Sequence, residues 1–257
     1  MELKTVQTQA VPVSYFEAGS GAPLVFLHGA GGVTADDPFL AKLAERYHVH
    51  APLLPGYGDS TEAPNIRDML DITLHTFDVV EALGLRRPLL IGCSLGGMIA
   101  AEMAAIAPND VERLLLIDSA GLWLDAYPVP DLFVLLPHEV PALLFHDVEK
   151  GVKILTRGGD IDDPDFLISY LINYARTFGM VGKFLFPIPD RGLKDRLYRI
   201  KARTRLIWGA SDRMFPLPYA EAFKAAIRNA DLVIVPEAGH LPQLEQPAAT
   251  VRAIADF

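Results

Sequence analysis

The sequence predicts an α/β fold: a mostly parallel, eight-stranded-type sheet with helices on both faces, interrupted by a helical cap. Three observations predict it. Short apolar runs recur without strict alternation, as strands covered on both faces do. Helical patterns fill the intervals, and alternating strands and helices imply a parallel sheet. From about residue 121 to 190 that rhythm stops. The chain therefore divides into a first core segment 1–120, a cap 121–190 and a second core segment 191–257.

In chain order, 3–7 and 12–17 are expected to form an antiparallel entry hairpin. Residues 24–27 (LVFL) read as a buried strand ending in HGAGG, and 49–54 (VHAPLL) as another ending in PGYGDS. In 68–83, Leu70, Leu74, Phe77, Val80 and Leu83 repeat at helical spacing. The strand 88–91 (PLLI) runs into IGCSLGGM, and 95–107 is apolar on nearly every side, as a central buried helix is. Strands follow at 113–117 (RLLLI), 204–208 (TRLIW) and 232–235 (LVIV). Tyr219, Phe223, Ala226 and Ile227 mark a helix over 219–227. Within 121–190, Pro128, Pro130, Pro137 and Pro141 break the start into short pieces. Ten of the 23 aromatic residues, Phe186 among them, fall in this region. An even spread would put about six there.

Composition narrows the function. The 257 residues, 51% of them hydrophobic, suffice for one large core. A net charge of −9 argues against nucleic acid and anionic membranes, which are held through Lys and Arg. The single cysteine, Cys93, excludes an intrachain disulfide and fits a reducing compartment. The opening MELKTVQTQAVPV is not read as a signal peptide, and no uncharged apolar run is long enough for a bilayer. A soluble, cytoplasmic protein acting on a small molecule is expected, with monomer and dimer both open.

Gly92-Cys93-Ser94-Leu95-Gly96 matches G-x-S-x-G between a strand and a helix, the context that gives the pattern meaning. Two readings compete. Either Ser94 is a nucleophile on a strained turn, or the glycines only let a helix lie close to a sheet. A serine hydroxyl needs a base, and the base needs an acid to hold its tautomer. Among seven histidines, His240 in PEAGHLPQLEQP follows the last strand, at the carboxyl edge where open sheets place their sites. Asp212 in WGASDRMFP directly follows the strand 204–208. The order Ser94, Asp212, His240 is that of a strand-turn-helix serine triad.

HGAGG at 28–32, PGYGDS at 55–60, GCSLGG at 92–97, GASDRMFP at 209–216 and GHLPQLEQP at 239–247 together resemble the α/β-hydrolase fold superfamily, in its serine-nucleophile branch with a helical cap. The five pieces span most of the chain and leave the cap uncovered. The resemblance implies a cofactor-independent, carboxylesterase-like enzyme with Ser94, His240 and Asp212 as triad. It also implies an oxyanion hole from the N–H groups of Ala30 and Leu95. Asp118, after the strand 113–117, is the alternative acid, since some members supply the acid from that edge; otherwise it is a turn residue. Asp59 resembles a loop-stabilising residue and is given no chemistry.

The expected pocket is lined by His28, Gly29 and Leu241 from the core and by Trp123, His138, His146 and Arg176 from the cap. His28 is read as structural rather than as a base. Arg176 looks like the buried cation of the cap, able to clamp a substrate carboxylate or to reach solvent. His48 and His50 are read as rim residues, His75 as exposed, and Cys93 as a small buried hydrophobe. No spacing suggests a metal. The expected substrate is a small to medium, largely apolar ester. C–C hydrolysis of ring-cleavage dienoates is the alternative, although members of that kind usually carry Asn and an aromatic where this chain has Cys93 and Leu241. A triad-bearing small-molecule receptor or signalling protein is a third reading.

Overall fold

The computed structural model describes residues 1–58, 60, 63–185 and 190–257. Asp59 and Phe186 lie outside the described residues. Eight strands form one sheet in the order β1-β2-β4-β3-β5-β6-β7-β8. They are β1 (Glu2–Gln7), β2 (Pro12–Ala18), β3 (Ala22–Leu27), β4 (Tyr47–Pro52), β5 (Leu89–Cys93), β6 (Arg113–Ile117), β7 (Arg203–Gly209) and β8 (Ala230–Val235). β1 and β2 pair antiparallel, as expected of the entry hairpin, and β2 is antiparallel to β4. From β4 to β8 every pairing is parallel.

The helices are α1 (Pro38–Ala44), α2 (Met69–Ala82), α3 (Leu95–Ile106), α4 (Val140–Leu144), α5 (Val148–Thr156), α6 (Pro164–Leu185), α7 (Leu217–Ala226), α8 (Pro242–Glu245) and α9 (Pro247–Ala255). α3 is buried over all but its last residue and packs on β3, β5 and β6. That is why its sequence has no polar face. Its one carboxylate, Glu102, is buried and receives Arg196 in a two-pronged ion pair. The helix α1 was not anticipated. Asp37 caps it by accepting from the N–H groups of Phe39 and Leu40, with Pro38 at its first position.

Two side-chain readings need correction. In α2 the buried face is Met69, Ile72, Thr73, His75, Thr76 and Val79, while Leu70 and Leu74 are exposed. The helix packs against α3, and in that setting the leucine stripe turns outward and His75 turns in. His48 and His50 lie within β4 rather than on a rim, and His50 is buried.

Between β6 and β7 the chain leaves the sheet. It runs through a 3₁₀ turn at Leu132–Val134, then α4, α5 and α6, then two more 3₁₀ turns at Leu193–Asp195 and Leu197–Arg199. α6 stacks Tyr174 on Phe178, with ring centroids 4.1 Å apart. It also leaves Leu167, Ile168, Leu171 and Ile172 exposed. Among the described residues, no helix is long and apolar enough to cross a membrane.

Candidate active site

Ser94 is the single residue between β5 and α3. Its φ of 51° and ψ of −116° lie where a residue with a Cβ is strained, at a cost of about 1–3 kcal/mol. The turn is pinned on both sides. The Ser94 N–H donates to the Ile117 carbonyl, and the Ala120 N–H donates to the Ser94 carbonyl. A Cβ on Gly92 would come within 2.3 Å of the Gly96 carbonyl oxygen, and one on Gly96 within 2.0 Å of the Leu27 oxygen. The glycines therefore serve both purposes weighed from the sequence: close helix packing, and a turn tight enough to present the serine.

The Ser94 Oγ–H donates to His240 Nε2 at 2.9 Å. On the other side of the ring, Nδ1–H donates to Asp212 Oδ2, also at 2.9 Å. A carboxylate only accepts, so Asp212 fixes the tautomer that leaves Nε2 free to take a proton. Both His240 and Asp212 are buried, and Ser94 is partly exposed. Asp212 Oδ1 is held by the N–H groups of Met214 and Phe215, and the Phe215 ring stands edge-on to the imidazole at 5.3 Å.

Asp118, the alternative acid, is fully buried beside this pair but does not bond the imidazole. Its Oδ1 accepts the Gly209 N–H, and its carboxyl faces that of Asp212. Burial and the neighbouring Asp212 charge hold its carboxyl well above the usual range. Asp118 is therefore a carboxyl that resists ionisation.

The loop after β3 meets the serine closely. A Cβ on Gly29 would lie 3.2 Å from Ser94 Cβ. Among the described residues, neither the Ala30 nor the Leu95 N–H donates to a protein acceptor. His28 is buried, with both nitrogens spent on backbone: Nδ1–H donates to the Gly29 carbonyl, and Nε2 accepts the Leu54 N–H. Burial pushes its pKa down to about 4, against the raising effect of the Gly29 bond. His28 thus joins two loops and offers no polar atom to a pocket. Tyr57 packs on it at 4.7 Å, and the Tyr57 hydroxyl donates to the Ala30 carbonyl.

Two residues not singled out from the sequence organise the site. Tyr57 is one. Glu245 is the other: its buried carboxylate accepts the N–H of Gly239, next to His240, and those of His146 and Asp147. The His240 N–H itself donates to the Leu144 carbonyl at 2.7 Å. The only available signal was that both lie inside the quoted pieces PGYGDS and GHLPQLEQP.

The other pocket candidates scatter. Leu241 is partly buried against the core, and Trp123 bonds Asp125 through its indole N–H. His138 is exposed. His146 is exposed, with its ring bonded to Ser211. Arg176 is exposed rather than buried and donates to the Gly58 carbonyl, because its side of α6 faces solvent. Cys93 is buried and accepts from Gln243 Nε2. Two groups of the described residues bring three metal-ligand atoms within 4.8 Å of one another: Asp118, Asp212 and His240 here, and Glu17, His48 and His50 on β2 and β4.

Comparison with known proteins gives this geometry a setting. The family model described as "Alpha/beta hydrolase family" matches residues 24–253. The 2-hydroxymuconate semialdehyde hydrolase of a Pseudomonas species is 27% identical, over 94% of this chain and 88% of that protein. The pimeloyl-[acyl-carrier protein] methyl ester esterase of Pectobacterium carotovorum is 26% identical, over 94% and 96%. The meta-cleavage product hydrolase from Pseudomonas fluorescens shares the fold with a TM-score of 0.81, at 21% identity over 99% and 96% of the two chains.

Proposed function

Because this chain belongs to the alpha/beta hydrolase family, we propose that it is a serine hydrolase cleaving a small to medium, largely apolar ester through an acyl-enzyme. The observation that carries this reading is the unbroken line of hydrogen bonds from Asp212 through His240 to Ser94. His240 Nε2 takes the Ser94 proton as Oγ attacks the ester carbonyl carbon. The carbonyl oxygen becomes an oxyanion held by the N–H groups of Ala30 and Leu95. Each such donor is worth about 10²–10³ in rate. The amino end of α3 adds a favourable field. The imidazolium, stabilised by Asp212, passes its proton to the departing alcohol. Water then enters, His240 deprotonates it as its oxygen attacks the acyl carbon, and that proton passes to Ser94 Oγ as the C–Oγ bond breaks and the acid is released.

The segment from 121 to 190 acts in this reading as a cap over the serine, and its aromatic side chains supply the apolar preference. The ester reading accords with the esterase relative. The dienoate reading accords with the semialdehyde hydrolase relative. Cys93 and Leu241 favour esters, since they stand where dienoate hydrolases usually carry Asn and an aromatic.

The test is a panel of aryl esters, a lactone and a dienoate, with Ser94→Ala as blank. The expected result is ester turnover that falls by roughly 10³-fold or more in the variant. Wild-type ester rates in Ser94→Ala would overturn the mechanism. A dienoate kcat/KM well above every ester would overturn the substrate class. Slow turnover of the whole panel, with a large ligand-induced rise in Tm, would favour the receptor reading.

A further inference from the structure

We propose that Glu17, His48 and His50 form a binding site for one divalent transition-metal ion, with zinc as its representative, on the β2–β4 pair. β3 separates β4 from the strand that carries the Ser94 turn.

The register builds the site. β2 and β4 run antiparallel, with Glu17 directly opposite His50. His48 is two residues earlier on β4, so it projects from the same face. The two imidazole centroids are 4.2 Å apart. Glu17 divides its oxygens: Oε2 pairs with Lys4, while Oε1 lies 2.9 Å from His48 Nε2 and 3.7 Å from His50 Nδ1. One ligand atom from each residue lies within 4.8 Å of the others. Tetrahedral zinc with bonds of about 2.0–2.1 Å needs ligand atoms about 3.3 Å apart. The two measured separations bracket that spacing.

A hydrogen bond from His48 to Glu17 explains His48 but not His50. The His50 side chain is 5% exposed, yet among the described residues neither of its ring nitrogens has a hydrogen-bond partner. Leaving such a group unpaired in the interior is costly. A metal ion on Nδ1 would satisfy it. The donor set, two imidazole nitrogens and one carboxylate, suits zinc, nickel or copper rather than calcium or magnesium. Burial, then the neighbouring His48, lowers the His50 pKa, so the ring is in the neutral form that ligates. The Lys4 hydrogen bond leads in holding the Glu17 carboxyl low, so it is ionised. Lys4 also opposes the ion electrostatically, which gives a second handle.

The test uses the full chain freed of metal by chelation. Zinc is titrated by calorimetry, and cobalt serves as a spectroscopic probe of tetrahedral nitrogen and oxygen ligation. The expected result is one saturable equivalent that raises Tm, weakened by roughly a hundredfold or more in His50→Gln and in His48→Gln. Lys4→Met tightens it. His240→Gln leaves this equivalent in place, which separates it from the cluster beside Ser94. Wild-type protein without saturable binding, or His50→Gln and His48→Gln variants that bind as wild type, would overturn the proposal. Because ligand loss is read on two separate variants and on Tm, misfolding of one leaves the other decisive.

Discussion

Asp118 and Asp212 bring two buried carboxyl groups within 4.8 Å of each other and of the same imidazole, yet only Asp212 bonds it. Two adjacent charges in a dry site repel, so the proton stays on the one with less support. Asp212 Oδ1 has two backbone donors, Met214 and Phe215, and its Oδ2 takes the imidazole N–H. Asp118 has one backbone donor, the Gly209 N–H, and its carboxyl lies against that of Asp212.

Asp118→Asn should therefore be tolerated, and its benefit should grow with pH. A carboxyl whose folded pKa is raised contributes stability below the ordinary value of about 4 and loses it as pH rises toward the folded value. Asparagine is neutral throughout and keeps an acceptor for Gly209. Denaturant unfolding of both proteins at pH 4 and pH 7 should show the variant gaining on wild type at the higher pH. A constant difference would mean Asp118 is ionised in the fold.

His28 has the opposite sign. Its folded pKa is depressed to about 4, so its contribution is whole above about 6.5 and is lost as pH falls toward 4. The full shift corresponds to about 3 kcal/mol. His28→Gln, which keeps a donor and an acceptor, should flatten the acid limb of the stability profile by about that amount. Superimposable acid limbs would contradict the buried neutral imidazole.

Tyr57→Phe removes the hydroxyl that holds the Ala30 carbonyl. The residue carrying the proposed oxyanion donor loses one restraint, on the peptide that follows it, worth about 1 kcal/mol. The expected outcome is a kcat lowered by roughly tenfold or less with KM nearly unchanged, measured on the best ester. An unchanged kcat would show that Ala30 is positioned without Tyr57.

Glu245→Ala leaves three backbone N–H groups without their acceptor. The loss should be about 3 kcal/mol, read as a Tm lower by on the order of 10 °C. Because Gly239 adjoins the base, kcat should fall as well. A variant with normal Tm and normal kcat would show that solvent replaces the carboxylate.

The central strands were legible because burial on both faces leaves an apolar run, as in RLLLI at 113–117, which matches β6 residue for residue; β8 was legible from LVIV although it is only partly buried. The order Ser94, Asp212, His240 was legible because each stands just past a strand. The α2 stripe was misread because two apolar stripes compete on that helix, and tertiary packing chose Ile72 and Val79 over Leu70 and Leu74. Tyr57, Glu245 and the buried His50, whose ring nitrogens have no hydrogen bond among the described residues, were not legible. Their meaning lies in partners distant in the chain, such as Ala30 for Tyr57 and His146 for Glu245.

The stretch from Leu144 to Asp147 is bonded to the His240 loop, once through the Leu144 carbonyl and twice through Glu245. Exchange of the whole 121–190 insert would therefore remove part of what holds the His240 loop in place. A chimera that retains 144–147 and replaces only the α6 side would keep the base anchored. The boundary for recombination runs inside the insert, between α4 and α6, rather than at its ends.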